Sequence, residues 1–511
     1  MLGTLVASAP GTLGCARKAP PTPPPPPHRG PVVLITLDAL RADVVGALDG
    51  RLVNGHSLTP HFDGLIAAAD WAGRAVAPSS WTVPSMASIM TGLQPWQHGA
   101  LDDERAVLRD DLDTLAEVFR GLGFDTAGYR SNVWLTEKLG WAQGFDVFRR
   151  LGKGYRAQYR LAHLSGGPEL VWVHVLPPHA PYLRDDDLAR TLGQDPAALP
   201  ERIEAADLER FYDPRLELPE DRRRVLWTLY GHHVARADRW LGVLLTALRS
   251  SGQWDRALVI VTSDHGEEFG EPEKQGGHRQ TGHGGNLRRV LLEVPLAIKL
   301  PRGFGRELAV APGERVASHR LWATLVDAAG GEVPAEVASL APSLFGLRPP
   351  GILSELYNGN GVNRFSWIEE ELEGLAETEL QLLWESSFAD PEPEYFQARY
   401  RTLGGDPRPP LAEPAAEIFG RLDRSFARTP PLTGRGDAPR LTLLRWRPSG
   451  ATEPVADPEP TRRLARALRD VWSATFGAEQ TPGARFGDRT PALSAEEEEA
   501  LRSLGYVAGK R

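Results

Sequence analysis

Cysteine is almost missing from this 511-residue chain: Cys15 is the only one. No intrachain disulfide is available to hold the fold, and a thiol nucleophile is excluded everywhere beyond the N-terminal segment. Long apolar runs are missing too. No stretch of about 18 apolar residues occurs, so the sequence offers no candidate membrane-spanning helix. Positive charge is not in excess, since 58 Lys and Arg face 67 Asp and Glu for a net charge of −9. That sign is wrong for a protein that grips a nucleic-acid backbone, which needs a basic face. It remains compatible with a local anion site made from backbone N–H groups and a metal. No internal repeat is present. The 41% hydrophobic and 24% charged content is ordinary for a globular protein, and the length predicts a large core in about two domains.

The first 30 residues read differently from the rest. "MLGTLVASAPGTLGC" is apolar and rich in small residues, and Cys15 is followed by "ARKAPPTPPPPPHRG". A small residue ahead of a Cys, then a proline-rich stalk, resembles a bacterial lipoprotein signal with its tether. This predicts an exported, periplasmic or cell-surface protein, attached to a membrane through Cys15. The plainer alternatives are a disordered leader or a start placed inside a longer signal. Either way, residues 1–30 are expected outside the fold, with the proline run as a polyproline spacer.

Beyond the leader, "PVVLITL", "LVWVHVL" (Leu170 to Leu176) and "ALVIVTS" (Ala257 to Ser263) are contiguous apolar runs, and "DTAGY" (Asp125 to Tyr129) is a weaker one. Such runs suit strands buried on both faces, as in a parallel sheet covered by helices. Helical patterns lie between them. Leu112, Leu115, Phe119 and Leu122 form one stripe that Gly123 stops, and Leu226, Leu229, Val234, Leu241, Leu244 and Leu248 form a longer one. Alternating strand and helix predict an α/β fold with a mostly parallel sheet flanked by helices, spanning residues 31–340. After about residue 340 the texture changes. "GLAETELQLLWESSF", "RLTLLRWRPSG" and "PTRRLARALRDVWSATFG" mix helix and strand between Pro- and Gly-rich joints, which predicts a smaller α+β C-terminal region over 341–511. The acidic "SAEEEEALRSLGY" is read as a solvated helix docked through Leu501, Leu504 and Tyr506.

In open α/β sheets, ligands bind at the carboxyl ends of the strands. Asp38 ends the first strand, and Asp264 with His265 follows "ALVIVTS". A lone strand-end Asp often only caps a helix. Asp-His-Gly-Glu at a second strand end is more telling, because carboxylate and imidazole together suit a divalent cation such as Zn, Mn, Mg or Ca. In "SSWTVPSMASIMTG", Pro84 favours a first helical turn, which places Thr82 just ahead of a helix N-terminus. A hydroxyl held there beside a metal could attack phosphorus or sulfur. The competing reading makes Thr82 or Ser80 an ordinary N-cap. His179 in "LPPHAPY" and His283 in "QTGHGGN" sit in loops near strand ends, where either could bind anion oxygens or protonate a leaving group. His232 and His233 lie in a long helix and His98 in a loop, all read as structural.

Taken together and in chain order, from Pro31 to Pro301, these residues resemble the sulfatase family of the alkaline-phosphatase superfamily. "VVLITLDALRAD" is similar to its first metal strand, "PSSWTVPSMASIMTGLQPWQHG" to its nucleophile segment and "LPPHAPY" to its substrate-histidine loop. "VTSDHGEEFGE" is similar to the second metal strand, and "TGHGGNLRRVLLEVPLAIKLP" to the histidine loop and strand after it. "TAGYRSNVWLTEKLGWAQGFDVF" and "LSAEEEEALRSLGYV" also resemble bacterial members. The resemblance implies Asp38, Asp264 and His265 as metal ligands, with Thr82 at the nucleophile position and also touching the metal. It implies His179 and His283 as contacts to the transferred sulfuryl or phosphoryl group, and a sulfate- or phosphate-ester substrate on a glycan, lipid or envelope component.

Three positions depart from the family pattern. Thr82 stands where sulfatases carry the Cys or Ser that is oxidised to formylglycine, so no formylglycine is expected. Met86 replaces the supporting Arg, and Pro177 replaces an acidic residue. A Thr nucleophile is the choice of phosphoethanolamine transferases in the same superfamily. The expectation is therefore a metal-dependent ester hydrolase acting through Thr82. The alternatives are a phosphoethanolamine-type transferase and a non-catalytic binding protein on a sulfatase scaffold.

Overall fold

The computed structural model describes residues 25–346 apart from 51, 152–155, 204–217 and 272–280, then 348–349, five strands between 352 and 454, and residue 494. Cys15 and the leader lie outside the described residues. So do "PTRRLARALRDVWSATFG" and the tail with Leu501, Leu504 and Tyr506. Among the described residues, no helix is long and apolar enough to cross a membrane.

Eight strands form the main sheet. In chain order they are β1 (Val32–Leu37), β2 (Trp71–Val76), β3 (Asp125–Arg130), β4 (Val147–Arg150), β5 (Glu169–Val175), β6 (Leu258–Ser263), β7 (Glu293–Lys299) and β8 (Val316–Ala317). Across the sheet the order is β8-β2-β7-β6-β1-β5-β3-β4. Only β7 runs against its neighbours β2 and β6, and every other adjacent pair is parallel. The α/β class and mostly parallel sheet expected from the sequence are what the chain adopts.

The contiguous apolar runs have a simple cause. In β1, Val32 and Leu34 enter one core cluster while Val33 and Ile35 enter another on the opposite face. Side chains alternate across a strand, so a strand covered on both sides must be apolar at every position. Four helices matter here: α1 (Thr82–Thr91), α2 (Leu115–Gly121), α3 (Glu220–Ser250) and α4 (Arg320–Ala328). The start of α2 is set by a capping box in which Thr114 and Glu117 satisfy each other's backbone N–H groups. Gly123 follows at φ 83°, the left-handed conformation that a helix exit favours in glycine. All six Leu and Val positions of the long stripe are buried along α3.

The segment beyond residue 350 contributes a second, antiparallel sheet in simple chain order: β9 (Ile352–Tyr357), β10 (Val362–Glu371), β11 (Thr378–Ser387), β12 (Arg440–Trp446) and β13 (Thr452–Pro454). Its first strand docks on the loop between β2 and α1. Ser354 Oγ donates to the Ala77 carbonyl at 2.8 Å, and the Glu355 amide donates to the Pro78 carbonyl at 2.8 Å.

Candidate active site

Topology brings five loops to one edge. β1 and β6 are parallel neighbours in the register Leu37↔Ser263, so the next residues, Asp38 and Asp264, emerge side by side. β2 is antiparallel to β7, which is antiparallel to β6, so the exit of β2 toward Thr82 lies on the same edge. β3 and β5 deliver Asn132 and His179 there. Because β7 alone is reversed, the loop that precedes it carries His283 to that edge as well.

The centre is buried: Asp38, Thr82, Asp264 and His265 are each at 0% exposure. Asp38 Oδ2 accepts from Asn132 Nδ2 at 2.7 Å and lies 3.1 Å from His174 Nε2. Asp264 Oδ1 accepts from the Ala39 amide at 3.1 Å and the His265 amide at 2.9 Å. The other oxygen of each, Asp38 Oδ1 and Asp264 Oδ2, has no hydrogen-bond partner. His265 Nε2 lies 3.7 Å from the first and 3.5 Å from the second. A buried, uncompensated polar atom costs about 1–3 kcal/mol, and more when charged. Two carboxylate oxygens turned toward one imidazole nitrogen are thus poor structure by themselves and a good cation site.

The tautomer of His265 agrees. Its Nδ1 lies 2.8 Å from the Gly266 carbonyl and must donate to it, so in the neutral ring Nε2 carries the lone pair. Asp38, Asp264 and His265 each offer one ligand atom, all within 4.8 Å of one another. The residues present therefore fit a divalent cation. Gly266 is required for close approach, because a Cβ there would stand 2.0 Å from the Val290 carbonyl oxygen.

Thr82 Oγ1 sits 3.2 Å from His265 Nε2 and 3.4 Å from Asn132 Nδ2. Thr82 is the first residue of α1 rather than the residue ahead of it. Trp81 occupies the N-cap position, with no side-chain capping bond. Extended backbone at Trp81 (φ −144°, ψ 149°) turns the chain into the helix, and the Thr82 side chain is directed to residues far away in sequence. Ser85 Oγ ties the first turn to the Asp264 carbonyl at 2.5 Å, so helix and metal strand are fixed to each other.

His179 and His283 join this centre. Their ring centroids are 4.9 Å apart, and those of His265 and His283 are 4.3 Å apart. His179 Nδ1 donates to the Ala180 carbonyl at 2.6 Å, and His283 Nδ1 lies 3.0 Å from Glu267 Oε1. Burial pushes the Glu267 acid up, but the His283 charge and hydrogen bond, the His179 charge and the Tyr182 hydroxyl outweigh it and hold the carboxylate ionised. Burial also pushes Asp38 up, but nearby His179 and the hydrogen bond from His174 outweigh it and bring the carboxyl well below the usual carboxylate range. Gly284, at φ 73°, donates its amide to the Ser80 carbonyl at 2.9 Å and closes the His283 loop onto the Thr82 loop.

All six candidates named from the sequence meet at this edge, and four further residues serve it. Asn132 bridges Asp38 and Thr82, with its amide orientation fixed because its Oδ1 accepts the Trp134 amide at 2.9 Å. His174 touches Asp38. Glu267 orients His283. Arg41 lies over the Trp227 ring at 4.5 Å, pairs with Asp43 and Glu271, and donates to the Glu267 carbonyl at 2.9 Å. One signal was available: His174 is a lone imidazole within the apolar run Leu170 to Leu176, and a buried polar group needs a partner. Met86, by contrast, is core, fully buried among apolar side chains. His98, His232 and His233 are structural contacts: His98 bonds Ser88 and Ala100, His232 the Asp185 amide and His233 the Leu183 amide.

Known proteins share this arrangement of chain. An ulvan-active sulfatase of Formosa agariphila is 24% identical over 297 residues, covering 53% of this chain and 56% of the relative. The multifunctional alkaline phosphatase superfamily protein PehA of Trinickia caryophylli is 24% identical over 277 residues, covering 46% and 50%. The chain thus spans about half the length of these relatives. In fold, it superposes on the phosphonate monoester hydrolase of Agrobacterium radiobacter with a TM-score of 0.51 at 18% identity, over 78% of this chain and 95% of the other. The sulfatase family model matches residues 31–163 and 156–331. That span contains every strand of the main sheet and all five loops of the site, and on it the chain belongs to the sulfatase family.

Proposed function

We propose that this protein hydrolyses a sulfate or phosphate ester with Thr82 as nucleophile. The observation that carries the reading is the meeting of Thr82 Oγ1 with His265 Nε2 and two partnerless carboxylate oxygens, Asp38 Oδ1 and Asp264 Oδ2, at the start of α1. A divalent cation held by Asp38, Asp264, His265 and Thr82 would lower the pKa of the hydroxyl and offset charge on the ester oxygens. Thr82 Oγ, its proton lost to solvent, forms a bond to phosphorus or sulfur. The bond from that centre to the ester oxygen breaks, and the departing alkoxide takes a proton from His179 or His283. Water then attacks the Thr82 ester, Thr82 Oγ regains a proton, and inorganic phosphate or sulfate leaves.

The other residues prepare these steps. Asn132 fixes the rotamer of Thr82 by donating toward Oγ1 at 3.4 Å. Glu267 holds the His283 Nδ1 proton, leaving Nε2 as its working nitrogen, and the Ala180 carbonyl does the same for His179. The N–H groups in the first turn of a helix lack intrahelical acceptors and add positive potential where the ester oxygens would lie. Formylglycine has no place in this mechanism. Thr82 carries a methyl group on Cβ, so its oxidation would give a ketone rather than an aldehyde. Similarity to an ulvan-active sulfatase supports a sulfate ester as one bond to test.

The test is a metal-supplemented assay of the purified chain on aryl phosphate, aryl phosphodiester and aryl sulfate, with Thr82→Ala as control. The expected result is turnover of at least one ester, reduced by roughly 10³-fold or more in the variant. Equal turnover by the variant would remove Thr82 from the mechanism. No turnover and no bound metal would favour a binding protein, and an acceptor-linked product would favour a transferase.

A further inference from the structure

We infer that Thr36 and His174 form a hydrogen-bond relay that decides which oxygen of Asp38 is offered to the metal, making His174 a positioning residue of the site. The inference rests on the metal reading above and concerns residues to which the reaction itself assigns no step.

The relay follows from donor and acceptor inventory. Thr36, His174 and Asp38 are each at 0% exposure, so water does not complete their bonding. Thr36 on β1 and His174 on β5 are register partners, and Trp172 lies two residues before His174 on the same face. Trp172 Nε1 can only donate, and it does so to Thr36 Oγ1 at 3.1 Å. Thr36 Oγ1 lies 2.8 Å from His174 Nδ1, and His174 Nε2 lies 3.1 Å from Asp38 Oδ2. An ionised carboxylate only accepts, so the imidazole donates through Nε2. The neutral ring then accepts at Nδ1, and the Thr36 hydroxyl supplies that proton. Every donor and acceptor from Trp172 Nε1 to Asp38 Oδ2 is satisfied by this assignment.

The consequence lies at Asp38. Its Oδ2 receives two donors, His174 Nε2 and Asn132 Nδ2, while Oδ1 receives none. The carboxylate is therefore committed to giving one oxygen. Ions that thrive on single-atom N and O donors, such as Zn²⁺, are served by that arrangement, whereas Ca²⁺ gains from carboxylates that give both oxygens. The partners behind a metal ligand commonly govern affinity by about 10- to 100-fold.

The experiment measures Zn²⁺ and Ca²⁺ affinity calorimetrically on the full chain after chelator treatment, with metal content checked by mass spectrometry. His174→Phe is expected to weaken Zn²⁺ binding by about 10- to 100-fold and to shift the Ca²⁺:Zn²⁺ affinity ratio toward Ca²⁺. His174→Gln, whose amide can still donate to Asp38, is expected to recover much of the loss. Thr36→Val, which removes only the proton supplied to Nδ1, is expected to show a smaller loss in the same direction. Trp172→Phe removes a bond upstream of the relay and is expected to lower the melting temperature of the metal-free chain with the ratio unmoved. The relay is overturned if His174→Phe binds both ions like the wild type, or if Trp172→Phe moves the ratio as far as His174→Phe. A wild-type chain that binds neither ion overturns the metal reading itself, which distinguishes that failure from failure of the relay alone.

Discussion

The histidines at the strand ends and those elsewhere in the protein make an instructive pair. His174, His179 and His265 are as deeply buried as His98, His233 and His319. The second set ends its bonds on hydroxyl, amide and backbone groups. His98 sits between the Ser88 hydroxyl at 3.0 Å and the Ala100 amide at 3.1 Å, His319 meets the Gln94 side chain at 3.0 Å, and His233 takes the Leu183 amide at 2.7 Å. Burial pushes all three of these down to about 3, which keeps them neutral. The first set instead faces carboxylates, two of whose oxygens have no partner. Burial depth does not separate the two sets of histidines; what the ring nitrogens face does.

Substitutions can break that comparison, and the largest effect belongs at its centre. His265→Ala is expected to abolish stoichiometric metal binding and to reduce ester turnover by roughly 10³-fold or more, read by metal analysis and steady-state kinetics. His319→Ala, equally buried, is expected to leave metal stoichiometry unchanged. Next in size is Glu267→Gln, which removes the ionised partner of His283 Nδ1. It is expected to lower kcat by roughly 10²-fold through loss of an oriented acid, with KM little changed. Loss of both parameters together would move Glu267 from orientation to substrate binding.

A third prediction sharpens the structural side. His98 and His319 have folded-state values of about 3, against an ordinary 6.5. The unfolded chain binds protons there that the folded chain refuses. The stability they confer is complete above pH 6.5 and drains away as the pH falls toward 3. Thermal melts across that window are expected to show a falling melting temperature, with a shallower fall in His98→Gln and turnover at pH 7.5 altered less than about threefold. A parallel slope in the variant would show that His98 does not titrate on unfolding. The smallest effect is expected at His232→Ala, which loses the Asp185 amide and Gln194 contacts from the middle of a long helix. A shift of a few degrees in melting temperature, with turnover unaffected, is the expected result.

Much of the fold was legible because its signals are local. Apolar runs without alternation marked β1, β5 and β6, and the six-position stripe marked α3. β4, with only Phe148 buried of its four residues, carries almost no such signal, and the two-residue β8 is shorter than any pattern. The site was legible to the extent that its residues follow strands directly. Asn132 was not singled out, because an Asn after a strand is ordinary until its partners are known. Those partners, Asp38 and Thr82, lie 94 and 50 residues away in the chain.

By itself, the sequence determined that a strand-end Asp, an Asp-His pair and a Thr at the start of a helix exist, since each depends only on near neighbours. It could not choose between cap and nucleophile for Thr82. The tertiary structure removed the cap from that choice. Trp81 takes the cap position, and Thr82 Oγ1 meets His265, 183 residues on, because β1 lies beside β6 in one particular register and β2 exits on the same edge. Distance along the chain carries no information about which side chains meet. Sheet order and register do, and they are set by how the whole core packs.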